Sequence, residues 1–245
     1  NWVKEHTDSM IPEILDEIPD EAIMYLVNAL AFEAEWADVY EEHQIREGRF
    51  TMEDGIRQDV DMMHSEEYTY LEDDMATGFM KFYKDNRYAF VAMLPNEGVS
   101  VSQYVESLTS DHLRGLLNHP QNVKVFAAIP KFESEYGIEM SEVLQKMGMT
   151  DAFDWRVADF SRLGTYNVDG MNIFINRVLH KTFISVSEQG TKAGAATVVE
   201  IAPGSAAPEM EFKEVILDRP FVYMLIDCET NLPFFIGTMM NVNGD

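Results

Sequence analysis

The chain has 245 residues, of which 46% are hydrophobic and 25% are charged, with a mean hydropathy of −0.19. This composition is typical of a globular chain that is long enough to bury a core, and no apolar run reaches the roughly 18 residues of a membrane span. The formal net charge of −25 disfavours binding to nucleic acid or to an anionic membrane surface, and the single cysteine, Cys228, excludes an internal disulfide and a cysteine-rich zinc site.

The first half of the chain predicts a helix end followed by several strands. Residues 3–14 are loosely amphipathic and predict the end of a helix. Residues 23–32 are almost continuously apolar, which is typical of a strand at the centre of a sheet, although a buried helix gives the same pattern. The charged residues 37–60 predict a surface connection with an edge strand. Alternating segments then predict a meander of strands over 68–71, 78–83 and 88–94.

The second half mixes helices and strands without a βαβ rhythm. Helices are predicted over 102–117 and 140–149. Strands are predicted over 122–129, 173–186, 212–227 and 232–240. There is no internal repeat and no Gly/Ser linker. The chain therefore predicts one α+β domain, dominated by antiparallel or mixed sheets.

The sequence lacks the common signatures of catalysis and cofactor binding. It contains no G-x-S-x-G nucleophile motif, no Walker lysine loop and no G-x-G-x-x-G motif. The six histidines form no H-E-x-x-H or similar ligand pair, so a zinc site is not expected. We expect no metal, no cofactor and no enzymatic activity.

One segment, residues 188–208, combines the features of a loop and of a strand. Its glycines and prolines indicate an exposed loop, but small or apolar residues occupy every second position from Thr191 to Ile201. Such period-two alternation is typical of a strand with one buried face. By itself the same composition is equally typical of a flexible Ala/Gly linker.

Motifs spread along the whole chain resemble the serpins, a family of conformationally mobile serine-protease inhibitors. The matching stretches keep the order and spacing of that family. They include Leu26-Val27-Asn28-Ala29-Leu30-Ala31-Phe32 with Trp36, Ile129-Pro130-Lys131-Phe132, Leu144-Gln145-Lys146-Met147-Gly148-Met149, Val178-Leu179-His180-Lys181-Thr182, Glu188-Gln189-Gly190-Thr191 and Asp218-Arg219-Pro220-Phe221.

The resemblance implies a serpin-like α+β fold, with mixed β-sheets, surrounding helices and an exposed reactive loop. It implies a suicide-substrate inhibitor of serine proteases: after cleavage, residues 191–204 insert as a new strand in the main sheet and the acyl-protease is trapped. The reactive bond falls between Gly204 and Ser205, counted from Glu188, although cleavage after Ile201, Ala202 or Ala206 stays open. The hinge that inserts first comprises Glu188, Gly190, Thr191, Ala193, Gly194, Ala195, Ala196 and Thr197.

Four further residues gain a role from the resemblance, all in the region where the main sheet opens. Asn28 and His180 are expected to pair, because each interrupts an apolar strand and a buried polar group needs a partner. Lys131 and Glu188 are expected to form a salt bridge at the top of the sheet, close to Trp36. The alternatives are two independently satisfied core residues and, for Trp36, an ordinary core aromatic.

The small residues around Gly204 favour an elastase-like or subtilisin-like serine protease as the partner, since a basic or aromatic residue is absent there. A cysteine protease is a further possibility. The alternative function is that of a non-inhibitory serpin that acts as a binding or storage protein. The hinge favours an inhibitor, because it carries small residues rather than bulky or charged ones.

The resemblance covers residues 1–245 as a single serpin domain, which corresponds to about the last two-thirds of the family's fold. The helices and first strands that precede this part in serpins are expected in a longer natural protein, and this remaining N-terminal part is expected to pack on residues 23–32. A secreted or extracytoplasmic location is favoured by the family resemblance alone.

Overall fold

The computed structural model describes residues 2–15, 22–165, 170–191 and 212–242. Its α-helices are α1 (Trp2–His6), α2 (Val101–Ser107), α3 (Ser110–Asn118) and α4 (Ser141–Lys146), and short 3-10 helices span Glu42–Gln44, Lys84–Asn86 and Asp151–Phe153. Its strands are β1 (Tyr25–Ala31), β2 (Ala34–Glu35), β3 (Ile45–Thr51), β4 (Arg57–Glu67), β5 (Tyr70–Glu72), β6 (Ala76–Phe82), β7 (Tyr88–Pro95), β8 (Lys124–Pro130), β9 (Phe132–Glu139), β10 (Arg177–Ser187), β11 (Gly190–Thr191), β12 (Phe212–Ile216), β13 (Phe221–Asp227) and β14 (Leu232–Met239). In the described residues no helix is long and apolar enough to cross a bilayer.

Two compact units make up the chain, one from residues 1–32 and 135–184, the other from 33–134 and 185–245. In the first unit β1 runs parallel to β10 over seven residue pairs, from Tyr25 opposite Arg177 to Ala31 opposite Phe183. Asn176 ties the start of β1 to this ladder, because its side-chain oxygen accepts hydrogen bonds from the backbone N–H groups of Ile23 and Met24.

The second unit contains two sheets and the main core. One sheet has the strand order β12-β8-β4-β3, and the other has the order β14-β13-β7-β6-β5. The core lies on the second sheet, where apolar side chains of β6, β7 and β13 pack against the helices α2 and α3. Its largest buried member is Tyr104, whose hydroxyl donates to Asp73 at 2.9 Å.

The α+β organisation matches the prediction. The edge strand expected within residues 37–60 is β3, and the same region also contains the start of β4, which forms a long antiparallel hairpin with β3. Two local predictions are wrong. Residues 212–227 form two strands in different sheets, β12 and β13, rather than one. The first helix ends at His6 instead of near residue 14.

The strand predicted to lie at a sheet centre is β1, and the described residues supply one of its two neighbours. β1 pairs with β10 on one side, and no described residue pairs with its other side. Leu26 is 41% exposed and Asn28 is exposed as well. The near-continuous apolar run therefore gives a strand with an uncovered face.

Candidate functional site

The candidate site is the turn at the end of β10, where the predicted hinge begins. β10 ends at Ser187, and the chain turns through Glu188 and Gln189 and returns as β11. β11 is antiparallel to β10, with Thr191 opposite Val186, and its other edge pairs with β2, where Thr191 lies opposite Ala34. The first hinge residues, Gly190 and Thr191, thus already form a strand between β10 and β2.

Thr191 is completely buried, and its hydroxyl has a partner. Its Oγ1 lies 2.6 Å from the hydroxyl of Tyr83, and either oxygen can donate. Burial raises the pKa of Tyr83, so that phenol stays neutral and able to hydrogen-bond. The position therefore accepts a small side chain that carries one hydroxyl.

Gly190 is placed where a larger residue does not fit. Its φ of +146° is a conformation that L side chains rarely adopt, and a Cβ atom built there would lie 2.1 Å from the backbone oxygen of Ala34. The absent side chain allows β11 to approach β2 closely enough to pair.

Trp36 binds the same turn through two hydrogen bonds. Its indole Nε1 donates to the carbonyl oxygen of Ser187 at 2.9 Å, and its backbone N–H donates to Gln189 at 3.0 Å. The ring stacks on Tyr83 with 4.4 Å between centroids and an angle of 11°. Trp36 is thus more than core filling, because it contacts the turn and the partner of Thr191.

Lys131 and Glu188 form the ion pair that the resemblance implies. The two charged groups lie 2.9 Å apart, and Asp61 is a second, more distant carboxylate at 3.9 Å from the lysine. The hydrogen bond from Lys131 lowers the pKa of Glu188. The backbone carbonyl of Glu188 also accepts from the N–H of Tyr40 at 3.0 Å, so both parts of this residue are anchored.

Asn28 and His180 occupy matching positions on β1 and β10, directly opposite each other in the parallel ladder. The structure records no hydrogen bond between their side chains, and Asn28 is exposed. The Nδ1 atom of His180 is buried and has no hydrogen-bond partner among the described residues. The two residues therefore meet in register, and a buried polar atom remains unsatisfied beside them.

The remaining predicted site residues lie outside the described residues. These are the hinge residues Ala193, Gly194, Ala195, Ala196 and Thr197 and the reactive bond Gly204–Ser205. In the described residues no group of three or more His, Cys, Asp or Glu side chains could hold a metal ion.

Sequence reasoning missed three side chains of the site, namely Tyr83, Tyr40 and Lys81. Tyr83 contacts Thr191 across 108 residues of sequence, and Tyr40 contacts Glu188 across an even longer interval. No local pattern signals such a contact. Lys81 is the exception, because a lysine within a strand that is otherwise apolar indicates a specific partner.

Comparisons with known proteins agree with this geometry. A family model described as "Serpin (serine protease inhibitor)" matches residues 1–242. An uncharacterized serpin-like protein of Thermococcus kodakarensis is 33% identical over 241 residues, which cover 98% of this chain and 55% of the relative. Human Serpin B13 is 29% identical, with 97% of this chain and 61% of the relative covered.

Solved structures give the same answer. The thermophilic serpin tengpin in its native state is 48% identical, with a TM-score of 0.89 and with 98% of this chain and 61% of that chain covered. Its latent state gives 43% identity and a TM-score of 0.77. The chain spans between 55% and 61% of the length of these curated relatives. The expected serpin-like fold is confirmed, and the chain belongs to the serpin family.

Proposed function

We propose that the full-length protein inhibits serine proteases as a suicide substrate. The observation that carries the proposal is the position of Gly190 and Thr191, which pair with β10 on one side and with β2 on the other. The proposed insertion therefore extends a strand that has already begun.

In the proposed mechanism, the inhibitor acts after the protease has cleaved the reactive bond. The serine hydroxyl of the protease attacks the carbonyl carbon of Gly204, the Gly204–Ser205 peptide bond breaks, and the new amine of Ser205 leaves. The ester that remains links the protease to Gly204. Insertion of residues 191–204 then moves the ester before water can hydrolyse it, and the acyl-protease stays trapped.

The free energy for this movement comes from strand addition. About a dozen new ladder hydrogen bonds, at about 0.5–1.5 kcal/mol net each, give on the order of 10 kcal/mol before side chains are buried. Residues 193–197 carry only small side chains and thus enter a sheet with little steric cost. The greater similarity to native than to latent tengpin supports a starting state in which most of this energy is still available.

We propose an elastase-like or subtilisin-like protease as the target, because Gly204 and its neighbours fit only a shallow specificity pocket. An extracytoplasmic location, favoured by the family resemblance, belongs to the same proposal.

The test mixes the full-length protein with an elastase-like and a subtilisin-like protease and resolves the products on a denaturing gel. A band at the summed mass shows covalent trapping, and the mass of the released C-terminal peptide fixes the reactive bond. Cleavage without such a band, with the protease still active, contradicts inhibition of these enzymes.

Heat separates this proposal from the alternative, a non-inhibitory binding or storage protein. A serpin that inserts its loop becomes much more thermostable after cleavage, because the new strand completes the sheet. If the cleaved protein gains no heat stability and traps no protease, the alternative replaces the proposal.

A further inference from the structure

Lys81 is a buried lysine that the proposed mechanism does not use. It lies near the end of β6, its side chain is 3% exposed, and its Nζ is 3.0 Å from the Oε1 atom of Glu67. Glu67 is itself 12% exposed and also accepts a hydrogen bond from the hydroxyl of Ser65 at 2.7 Å. A charge removed from water at this depth is costly unless it is paired, so the ion pair requires an explanation.

Two aromatic rings complete the surroundings of the Lys81 ammonium group. The Nζ atom lies 4.4 Å from the centroid of the Tyr40 ring and 5.4 Å from the centroid of Trp36. Both distances are within the range of a cation–π interaction, which is strengthened where water is excluded. Tyr40 is fixed further through its hydroxyl, which lies 3.3 Å from the hydroxyl of Ser65.

The two rings that Lys81 contacts belong to the residues that hold the hinge turn. Trp36 donates from its indole to Ser187, and Tyr40 donates from its backbone to Glu188. Trp36 also stacks on Tyr83, the partner of Thr191. The buried Lys81 ammonium group thus contacts the rings of Trp36 and Tyr40, and these two residues bind the consecutive turn residues Ser187 and Glu188.

We propose that Lys81 is a positioning residue for the hinge: by fixing the rings of Trp36 and Tyr40 it holds the turn at residues 187–191 in the register from which insertion starts. The expected consequence rests on the proposed function: with Lys81 in place, fewer inhibitor molecules are lost as cleaved substrate for each protease that is trapped. The contacts of Lys81 with Trp36 and Tyr40 stand independently of that function.

A merely structural role for Lys81 would be to neutralise Glu67, and a set of variants in the full-length protein separates the two roles. Lys81→Met removes the cation and leaves Glu67 buried and unpaired. Lys81→Met with Glu67→Gln removes both charges. Glu67→Gln alone keeps the cation on the rings. Lys146→Met, which breaks an exposed ion pair with Glu142, controls for the loss of a lysine.

The first measurement is hydrogen exchange of the Trp36 indole N–H by NMR, with the resonance assigned by its loss in Trp36→Phe. This proton reports directly on the bond to Ser187 and requires no protease. We expect exchange about tenfold faster in Lys81→Met and in the double variant, the size of one weakened hydrogen bond, and near-parent exchange in Glu67→Gln and Lys146→Met.

The second measurement is the number of inhibitor molecules cleaved per protease trapped, together with the thermal midpoint. We expect the double variant to melt within about 2 °C of the parent and yet to lose at least about threefold more inhibitor as substrate. A double variant with parent-like exchange and parent-like partition would show that Lys81 only neutralises Glu67. Fast exchange in Glu67→Gln would equally overturn the proposal.

Failure of the proposed function remains distinguishable. If the parent traps no protease, the inhibitor proposal fails, and the indole exchange rates still decide whether Lys81 positions the turn. If Lys81→Met does not fold, the double variant carries the test, because it leaves no unpaired charge in the core.

Discussion

The two ends of strand β10 differ in how their polar groups are satisfied. At the end that leads into the hinge, Ser187, Glu188 and Thr191 each have a partner, through Trp36, Lys131 and Tyr83 respectively. In the half of β10 that pairs with β1, the buried Nδ1 atom of His180 has no partner among the described residues. Among the described residues, the polar groups at one end of this strand thus have partners, whereas the Nδ1 atom of His180 in its middle has none.

This difference in hydrogen bonding indicates which part of the sheet is hard to separate and which part separates more easily. A satisfied polar network fixes a single arrangement, whereas an unpartnered buried group costs about 1–3 kcal/mol in the folded state. In the proposed mechanism β1 and β10 part along the ladder in which Asn28 lies opposite His180. We infer that the turn at residues 187–191 is held in place by its contacts. The ladder of β1 and β10 is easier to separate, because its unpartnered polar atom already lowers the stability of the closed ladder.

The largest effect is expected from Thr191→Arg, which disrupts the hydrogen-bonded turn after β10. A guanidinium at a completely buried position has no carboxylate partner there and cannot replace the bond to Tyr83. We expect the yield of covalent protease complex to fall at least about tenfold, corresponding to about 1.4 kcal/mol or more. The measurement is the gel-resolved complex at fixed protease concentration.

Thr191→Ser is the matched control for this substitution, since it keeps the hydroxyl and the small volume. We expect it to inhibit like the parent. If Thr191→Arg also inhibits like the parent, hinge insertion is not the mechanism of this protein.

The second prediction tests how closely β11 approaches β2. Gly190→Ala places a Cβ atom against the backbone of Ala34 in an unfavourable conformation and should lower the free energy of unfolding by about 1–3 kcal/mol. Urea denaturation of the full-length protein measures the change.

Gly115→Ala provides the opposite control. Gly115 lies in α3, is exposed, and an added Cβ meets no atom within 4 Å. Alanine there should raise the free energy of unfolding by about 0.5–1 kcal/mol. Equal effects of the two substitutions would contradict the close approach at Gly190.

The third prediction tests the ladder of β1 and β10, where His180 lies. His180→Leu replaces the unsatisfied ring by an apolar side chain and should stabilise the native state by about 1 kcal/mol. A better-packed ladder should also slow insertion, which stopped-flow measurements of trapping detect. His119→Leu, at an exposed position, should change stability by less than about 0.5 kcal/mol. A destabilised His180→Leu would show that the ring serves the native sheet.

Much of the fold could be predicted from local patterns. The meander of β5, β6 and β7 matches the predicted strands closely, because short alternating segments with turn residues between them specify hairpins. Strand β4 escaped prediction, since only Met62 and Met63 are buried along it and its charges mask the alternation. Apolar patterning cannot reveal a strand that buries little.

The site divides in the same way. The ion pair of Lys131 with Glu188 followed from the family resemblance. The resemblance also implied that Asn28 and His180 pair; they lie opposite each other, but the structure records no hydrogen bond between them. Tyr83 and Tyr40 could not be found from sequence, because their roles depend on which segments the folded chain brings together. A local pattern specifies an element and the face it buries, but not the contact partner a hundred residues away.

The smallest effect concerns pH and the ion pair at the anchored end. The pKa of Glu188 is lower in the folded state than its ordinary value of 4.5, because Lys131 hydrogen-bonds to the charged form. The bridge therefore stabilises the protein above about pH 4.5 and loses this contribution as the pH falls through the folded pKa. Glu188 and Lys131 are both partly exposed, so we expect less than about 1 kcal/mol.

Lys131→Met isolates this contribution from the other carboxylates, including Asp61, the second acid near the lysine. The difference in the free energy of unfolding between parent and variant should be constant from neutral pH down to about pH 5 and should shrink below about pH 4.5. The protection of the Tyr40 amide, which donates to Glu188, should fall over the same interval once its exchange rate is divided by the intrinsic rate at each pH. A difference that stays constant into strong acid would mean that Lys131 acts on the turn by packing alone, and the anchored end of β10 would then owe nothing to charge.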